Sequence, residues 1–293
     1  INDLLRSNDF LKFNVIVGPL VTSNFDFLTS TKGLINIPKI SPLSTNDVYL
    51  RKNVYQSIPR KDFLRKKMMK YLEKKIDSTQ NIVLVVDSIN RSIENELKKK
   101  FPYSLIIRPE KEDYLLPELV DSLLIDSVPN KVILESESFP LIASVISQMN
   151  AQNNSNRNVQ LFTTYRGNAY ETENISNKVM GGINFTYPTY YKKLPLENLT
   201  DFQNDYIELY GKLPNKESTR AYDLILDVIL RIAFKEKLKK SIDFGETQYI
   251  ENRFFYDETE NESYTNKAFY ILQHSGYDVI EIKDWEDETD ISN

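Results

Sequence analysis

The chain has 293 residues, 41% of them hydrophobic and 27% charged, which is ordinary for a globular protein with room for two lobes. Its net charge of −5 disfavours a nucleic-acid partner, because a surface that follows phosphates needs a basic excess or a basic stripe. The lack of cysteine excludes disulfides, zinc–thiolate sites and thiol nucleophiles, and a single histidine argues against a histidine-based metal site or a Ser-His-Asp triad.

The first organised stretch reads as two strands that each end in a hydroxyl-rich turn. An apolar strand at 14–17 precedes a turn at 18–24, a short helix follows at 25–31, and a strand at 37–40 runs into the turn 41–45. Parallel strands of an open sheet end at one edge, where turn hydroxyls and helix N-termini converge and ligands bind. The sequence therefore predicts a binding edge here.

From residue 62 onward, predicted helices and strands alternate. Helices are predicted at 62–76, 92–100, 115–127 and 139–149, and strands at 82–86, 104–107, 131–134 and 159–162. The strands are continuous apolar runs at the spacing of successive strand-helix units. This pattern is typical of a parallel sheet covered by helices on both faces.

The strongest helical pattern spans 218–240, after a predicted strand at 181–188 and a helix at 198–210. Ser218 is its expected N-cap. The helical period predicts one buried and one solvated face. The buried face would hold Ala221, Leu224, Ile225, Val228, Ile229, Ile232 and Ala233, and the solvated face Asp223, Asp227, Arg231 and Lys235.

The C-terminal part predicts strands. A hairpin of 247–256 with 268–272 would enclose the acidic loop 257–262, followed by a strand at 277–282 and a frayed acidic tail at 284–293. The loop lacks the ligand order and central glycine of a calcium loop. His274 reads as a surface turn residue.

Aromatic residues cluster just after residue 184. They are Phe185, Tyr187, Tyr190 and Tyr191. They either form an exposed contact surface, since tyrosine is enriched at interfaces, or pack at a crossover between lobes.

No apolar run approaches the roughly 20 residues that a membrane span needs. The chain opens with Ile1 and shows no signal peptide. We therefore expect a mature or truncated form whose targeting segment is missing.

Several motifs, in this order, resemble the type I periplasmic binding proteins, the group of the Leu/Ile/Val receptors. The segments are Gly18-Pro19-Leu20 with Thr22-Ser23, the run IPKISPLST at 37–45, VYQSIP at 54–59, and Tyr210-Gly211 followed by Ala221-Tyr222-Asp223. The resemblance implies an α/β fold of two doubly wound Rossmann-like lobes joined by three crossovers. Lobe 1 would comprise 1–58 and 189–245, and lobe 2 would comprise 59–188 and 246–293. The first strand-helix unit would be missing.

The resemblance also implies candidate ligand contacts. In the family, turns of the first lobe hold an amino-acid ligand's α-carboxylate and α-ammonium, which points to Ser23, Ser44 and Thr45 here. Asp87, Glu135 and Tyr165 lie at strand ends and are the second-lobe candidates.

The candidate residues also have ordinary structural interpretations. Ser23, Ser44 and Thr45 serve equally well as helix caps and turn residues. Glu135 and Glu137 share one side of an extended segment, but solvated or capping carboxylates are commoner there than an acid-base pair. No nucleophile or oxyanion device accompanies them, so we expect a non-enzyme without a metal or cofactor.

Residues 266–273, NKAFYILQ, resemble the C-terminal segments of binding-protein-like domains from a divergent Bacteroidota branch. In that branch the binding-protein-like domain follows peptidoglycan-binding LysM repeats in an envelope lipoprotein. This resemblance implies an interaction or scaffold module of the periplasm or outer membrane. Its partners would be envelope proteins or peptidoglycan, beside an outer-membrane machine such as type 9 secretion or gliding. The alternative is a solute receptor that binds an amino acid or similar polar ligand for an ABC transporter or sensor.

Overall fold

A computed structural model describes residues 1–44, 48–109, 113–171, 175–195, 197, 199–283 and 285. Its α-helices are α1 (Asn2–Ser7), α2 (Thr22–Ser30), α3 (Lys61–Lys75), α4 (Arg91–Lys100), α5 (Pro117–Leu123), α6 (Phe139–Gln152), α7 (Asn177–Gly182), α8 (Asp201–Tyr210) and α9 (Lys216–Lys235). Its strands are β1 (Ile16–Val17), β2 (Lys39–Ser41), β3 (Val54–Gln56), β4 (Asn81–Val86), β5 (Leu105–Ile107), β6 (Asn130–Glu135), β7 (Val159–Phe162), β8 (Thr186–Thr189), β9 (Thr247–Gln248), β10 (Arg253–Phe254), β11 (Tyr256–Glu258), β12 (Tyr264–Asn266), β13 (Tyr270–Ser275) and β14 (Asp278–Glu281). Within the described ranges, no helix combines the length and apolar character that crossing a membrane requires.

The chain divides into two compact units, each with its own mostly parallel sheet, which confirms the predicted α/β class. The first unit comprises Ile1–Phe63 and Tyr190–Phe269, and the second comprises Leu64–Thr189 and Tyr270–Asn293. Residues 246–269 therefore belong to the first unit, not to the second lobe as the sequence suggested. The reason is that β12 pairs in parallel with β3.

The sheet of the first unit has the strand order β1-β2-β3-β12-β11, and only β11 is antiparallel to its neighbour. One face packs against α9 through Ile40, Leu224 and Val228. Other apolar residues, with Phe25 from α2, form a separate small cluster around Val54. The predicted pairing of 247–256 with 268–272 is wrong, since the hairpin around the acidic loop is formed by the short strands β11 and β12.

Helix α9 buries part of the face that the sequence predicts to be solvated, while Leu224 and Val228 are buried as predicted. Asp223, Asp227 and Arg231 are buried, whereas Ile225 and Ile229 are exposed. The charged side chains can be buried because they find partners. Arg231 donates to both carboxylate oxygens of Asp227 at 2.8–2.9 Å and to the backbone oxygen of Ser241 at 2.9 Å.

The ends of α9 also differ from the prediction. Its N-cap is Asn215, whose side chain accepts from the Ser218 amide, and it ends at Lys235 because Glu236 is left-handed, with φ of +60°.

The sheet of the second unit has the order β14-β13-β8-β7-β6-β4-β5. The run from β8 to β5 is parallel, as predicted, while β13 and β14 are antiparallel additions at the other end. Core residues such as Val83, Val132 and Leu161 are fully buried, in keeping with their continuous apolar strands. Except for Trp285, which packs on Tyr71, the predicted acidic tail 284–293 lies outside the described residues.

Gly181 lies in the last turn of helix α7, whereas the sequence predicted that it starts a strand. Its backbone forms a bridge with Gly276, which precedes β14. A Cβ atom at Gly181 would lie 2.0 Å from the carbonyl oxygen of Gly276, a distance that only displacement of the backbone can relieve. Glycine is therefore required for this close approach of helix and hairpin.

We expect Gly181→Ala to lower the free energy of unfolding by about 1–3 kcal/mol, because overpacked sites must shift rigid backbone. Trp285, the only tryptophan, belongs to the same unit, so urea unfolding followed by its fluorescence measures the effect. Gly167→Ala in the same unit is the control, since its added Cβ would lie 3.5 Å from the Tyr165 ring, an ordinary van der Waals distance. Equal stability of the two variants would contradict the packing argument.

Candidate functional site

The segments that follow β1 and β2 bring the hydroxyls of Thr22 and Ser44 together in the first unit, and Ser23 is next to Thr22 in the chain. We call Thr22, Ser23 and Ser44 the hydroxyl edge. The Oγ1 atom of Thr22 lies 3.4 Å from the Oγ atom of Ser44, so the two predicted turns do meet. Thr22 and Ser44 are half-buried and Ser23 is exposed, while Thr45 lies outside the described residues.

The same edge carries the start of helix α2. Val21 is the N-cap residue, and among the residues that the structure describes no side chain caps the first turn of the helix. Valine is a poor N-cap because it offers no acceptor to the first-turn amides. Those amides and the positive end of the helix dipole favour an anionic group beside the hydroxyls.

A buried arginine holds the turn behind the hydroxyl edge. Arg220 of α9 donates to the carbonyl oxygens of Pro42 and Ser57 at 3.0 and 2.8 Å, and to Asn252 Oδ1 at 2.7 Å. Burial lowers the pKa of Arg220 from its usual range. Arg220 therefore fixes the segments that follow β2 and β3, which the sequence did not reveal, because a lone arginine in a helix reads as solvated.

Asp223 fixes a second segment in the same unit. Its carboxylate accepts from the amides of Ile250, Glu251 and Asn252 at 3.0–3.2 Å. Burial raises the pKa of Asp223 despite these donors. Burial, reinforced by the charge of Asp223, raises the pKa of Glu251 to about 7.

In the second unit, the predicted residues Asp87, Glu135 and Tyr165 lie together at the carboxyl ends of β4, β6 and β7. Glu135 is buried, accepts from the Thr164 amide at 2.6 Å and forms an ion pair with Arg65. The Arg65 guanidinium lies 5.7 Å from the centre of the Tyr165 ring.

The Asp87 carboxylate is also engaged within the unit. It accepts from the amides of Asn90 and Glu137 at 3.0 and 3.2 Å and from the Asn90 side chain at 2.8 Å. Asp87 thus holds the loops that follow β4 and β6. Glu135 holds the loop that follows β7, and the positive charge of Arg65 compensates its carboxylate. Across the described ranges, no three His, Cys, Asp or Glu side chains are grouped so as to hold a metal ion.

His274 is buried, which corrects its assignment to a surface turn. It lies in β13, with ring centroids 6.0 Å from Phe185 and 5.7 Å from Tyr187. Neither ring nitrogen has a hydrogen-bond partner among the described residues. Burial, with a smaller effect of the Arg166 charge, lowers the pKa of His274 to about 4.

The predicted aromatic cluster is not one exposed surface. Phe185 and Tyr187 belong to the core of the second unit. Tyr190 and Tyr191 are half-buried in the first unit, where the Lys216 ammonium lies 5.1 and 4.3 Å from their ring centres. The contact-surface interpretation is therefore wrong for the first pair.

Comparison with known proteins identifies relatives in structure only. No family model matches the chain, and no curated protein matches it. The branched-chain amino acid transporter substrate-binding protein LivJ from Streptococcus pneumoniae, solved with isoleucine, is 12% identical with a TM-score of 0.51, over 96% of this chain and 82% of LivJ. A periplasmic ligand-binding protein of a branched-chain amino acid ABC transporter from Burkholderia xenovorans is 11% identical with a TM-score of 0.58, over 92% of this chain and 75% of its own.

A third structure agrees with these two. The leucine-, isoleucine-, valine-, threonine- and alanine-binding protein from Brucella ovis is 10% identical with a TM-score of 0.53, over 96% of this chain and 79% of its own. Identities this low establish the fold alone. The chain has the α/β fold of the type I periplasmic binding proteins.

Proposed function

We propose that this protein is a solute receptor that binds a small carboxylate-bearing molecule, such as an amino acid, at the hydroxyl edge of its first unit. The observation that carries the proposal is the start of α2, where the N-cap valine has no side-chain acceptor for the first-turn amides and the Thr22 Oγ1 atom lies 3.4 Å from Ser44 Oγ. A carboxylate there would accept from amides and hydroxyls at a positive helix end, where charge-assisted hydrogen bonds are strongest.

This proposal takes up the receptor alternative of the sequence analysis in place of the envelope scaffold. The similar proteins from Streptococcus, Burkholderia and Brucella are all described as binding proteins, and the first was solved with isoleucine. None of these likenesses supports a LysM, peptidoglycan or outer-membrane association. We infer a periplasmic location, as for the Burkholderia protein, and transfer of the solute to a transporter or sensor.

The second-unit residues have unequal roles in the proposal. Tyr165 is the proposed ligand contact there, because its ring is half-buried at a strand end. Glu135 would act by holding the loop that carries Tyr165, through the Thr164 amide. Asp87 would act by holding the loops after β4 and β6, since amides already engage its carboxylate.

Thermal melts with a panel of amino acids and their des-amino carboxylic acids test the proposal. A true ligand at 100 times its dissociation constant stabilises the folded state by about 2.7 kcal/mol, which raises the melting temperature by several degrees. Comparing each amino acid with its des-amino acid shows whether the ammonium contributes to binding.

The double variant Thr22→Val/Ser44→Ala should abolish the thermal shift, because it removes both hydroxyls and keeps the volume similar. Ser30→Ala is the matched control, since this exposed hydroxyl lies at the other end of α2 and bonds only locally. No shift with any panel member would contradict the receptor proposal. A shift that survives the double variant would contradict the location of the site.

A further inference from the structure

The exposed side of α9 is a continuous apolar stripe. Its members are Tyr222, Ile225, Leu226, Ile229 and Leu230, with Phe234 at the C-terminal end. The spacing i, i+3, i+4, i+7, i+8 places the first five on one side of a helix. Ile229 is 58% exposed and Phe234 is 73% exposed, although such a stripe normally faces a core. The charged residues in the middle of α9, Asp223, Asp227 and Arg231, are buried on the other side of the helix. The stripe therefore contains no charged residue of α9.

The stripe continues beyond α9 at both ends. Phe202 of α8 stacks on Tyr222 with ring centroids 4.1 Å apart, and Phe244 contacts Phe234 at 6.1 Å. From the exposed fractions, the apolar side chains leave roughly 500 Å² in water, since an aromatic side chain buries about 150–250 Å² in full. The largest contiguous apolar patch on a typical monomer measures about 300–600 Å² and is often functional.

We propose that the α9 stripe is a homodimer interface, in which α9 packs antiparallel against α9 of a second copy about a two-fold axis near Leu226. A two-fold pair would bury roughly 1,000 Å² from the stripe alone, which reaches the lower limit of specific interfaces. Such a contact is self-complementary, because one patch meets itself.

The charges around the stripe favour the antiparallel arrangement. The N-terminal end adjoins α8, which exposes Asp201, Asp205 and Glu208 and contains no basic residue. The C-terminal end exposes Lys235, Lys237 and Lys240 with fewer acids. An antiparallel pair places the acidic end of each copy against the basic end of the other, whereas a parallel pair would oppose like charges.

Sedimentation equilibrium tests whether the dimer forms. The wild-type chain should approach twice its mass of 34.2 kDa as its concentration rises. Ile229→Lys should raise the dimer dissociation constant about 30-fold or more, as expected of a central interface residue. Tyr103→Lys is the control, since Tyr103 is 89% exposed in the second unit, far along the chain from the stripe. A mass of 34.2 kDa at every concentration would overturn the proposal.

Disulfide cross-linking tests the geometry, because the chain has no cysteine of its own. Ile225→Cys lies near the axis and should cross-link to itself under mild oxidation. Phe234→Cys should not, since its two copies would be about 24 Å apart along antiparallel helices at 1.5 Å per residue. Cross-linking of Phe234→Cys, or none of Ile225→Cys, would overturn the antiparallel pairing. Unchanged melting temperatures of the reduced variants would show that each remains folded.

Discussion

Replacing Arg220 with methionine is expected to lower the free energy of unfolding by about 2–4 kcal/mol, because it removes the hydrogen bonds that a buried guanidinium donates to three neutral acceptors. Methionine keeps the apolar stem but removes the guanidinium donor from the carbonyl oxygens of Pro42 and Ser57 and leaves Asn252 Oδ1 unsatisfied. The two carbonyl oxygens keep one other donor each, Ser57 Oγ and Asn266 Nδ2. A buried acceptor left unsatisfied costs about 1–3 kcal/mol. Urea unfolding followed by circular dichroism measures the loss.

Two further variants make the Arg220 expectation specific. Arg220→Lys keeps the charge but cannot reach three partners at once, so its stability should lie between those of wild type and the methionine variant. Arg91→Met is the control, because Arg91 is an exposed residue in the first turn of α4. A loss below about 1 kcal/mol for Arg220→Met, comparable to an ordinary surface change, would show that the network does not hold these segments.

Lowering the pH from 6.5 to about 4 is expected to remove up to about 3 kcal/mol of stability through His274 alone. Its pKa is lowered from 6.5 to about 4 in the folded chain. Between these two pH values the imidazole binds a proton in the unfolded chain but stays neutral in the folded chain. The contribution of His274 to the free energy of unfolding is therefore complete above pH 6.5 and is lost as the pH falls toward 4.

The variant His274→Leu isolates this effect, because leucine has a similar volume and does not titrate. The difference in unfolding free energy between wild type and variant should widen as the pH falls, while titrating carboxylates affect both chains alike. Since the chain has one histidine, its imidazole NMR signal can also be followed directly. A signal that titrates near 6.5, or parallel pH profiles of the two proteins, would contradict the assignment.

Much of the second unit could be predicted from sequence because its strands are buried on both faces. Continuous apolar runs such as 82–86 and 131–134 leave little ambiguity, and the structure confirms strands there. The glycine pair at 181–182 was misread, since its role depends on Gly276, nearly a hundred residues later. Long-range contacts of this kind leave no local pattern.

Helix α9 shows where hydrophobic patterning fails. The rule that the apolar face is buried assumes that charges cannot find partners inside, yet Asp227 and Arg231 pair with each other and with nearby backbone and hydroxyl groups. The hydroxyl edge could be predicted because turns after adjacent parallel strands must meet. The sequence could not predict that the carboxylates of Asp87 and Glu135 are already hydrogen-bonded or ion-paired within the unit. Arg65, the charged partner of Glu135, lies seventy residues earlier in the chain.

Isothermal titration of the best ligand from the melts, into wild type and Thr22→Val/Ser44→Ala, tests the receptor claim most directly. We expect saturable binding with one site per chain in the wild type. Affinity should be at least about tenfold weaker in the variant, since each lost hydrogen bond to a charged group is worth about 1.5–3 kcal/mol. Equal affinities, or no binding heat in either protein, would contradict the claim that this edge holds a carboxylate.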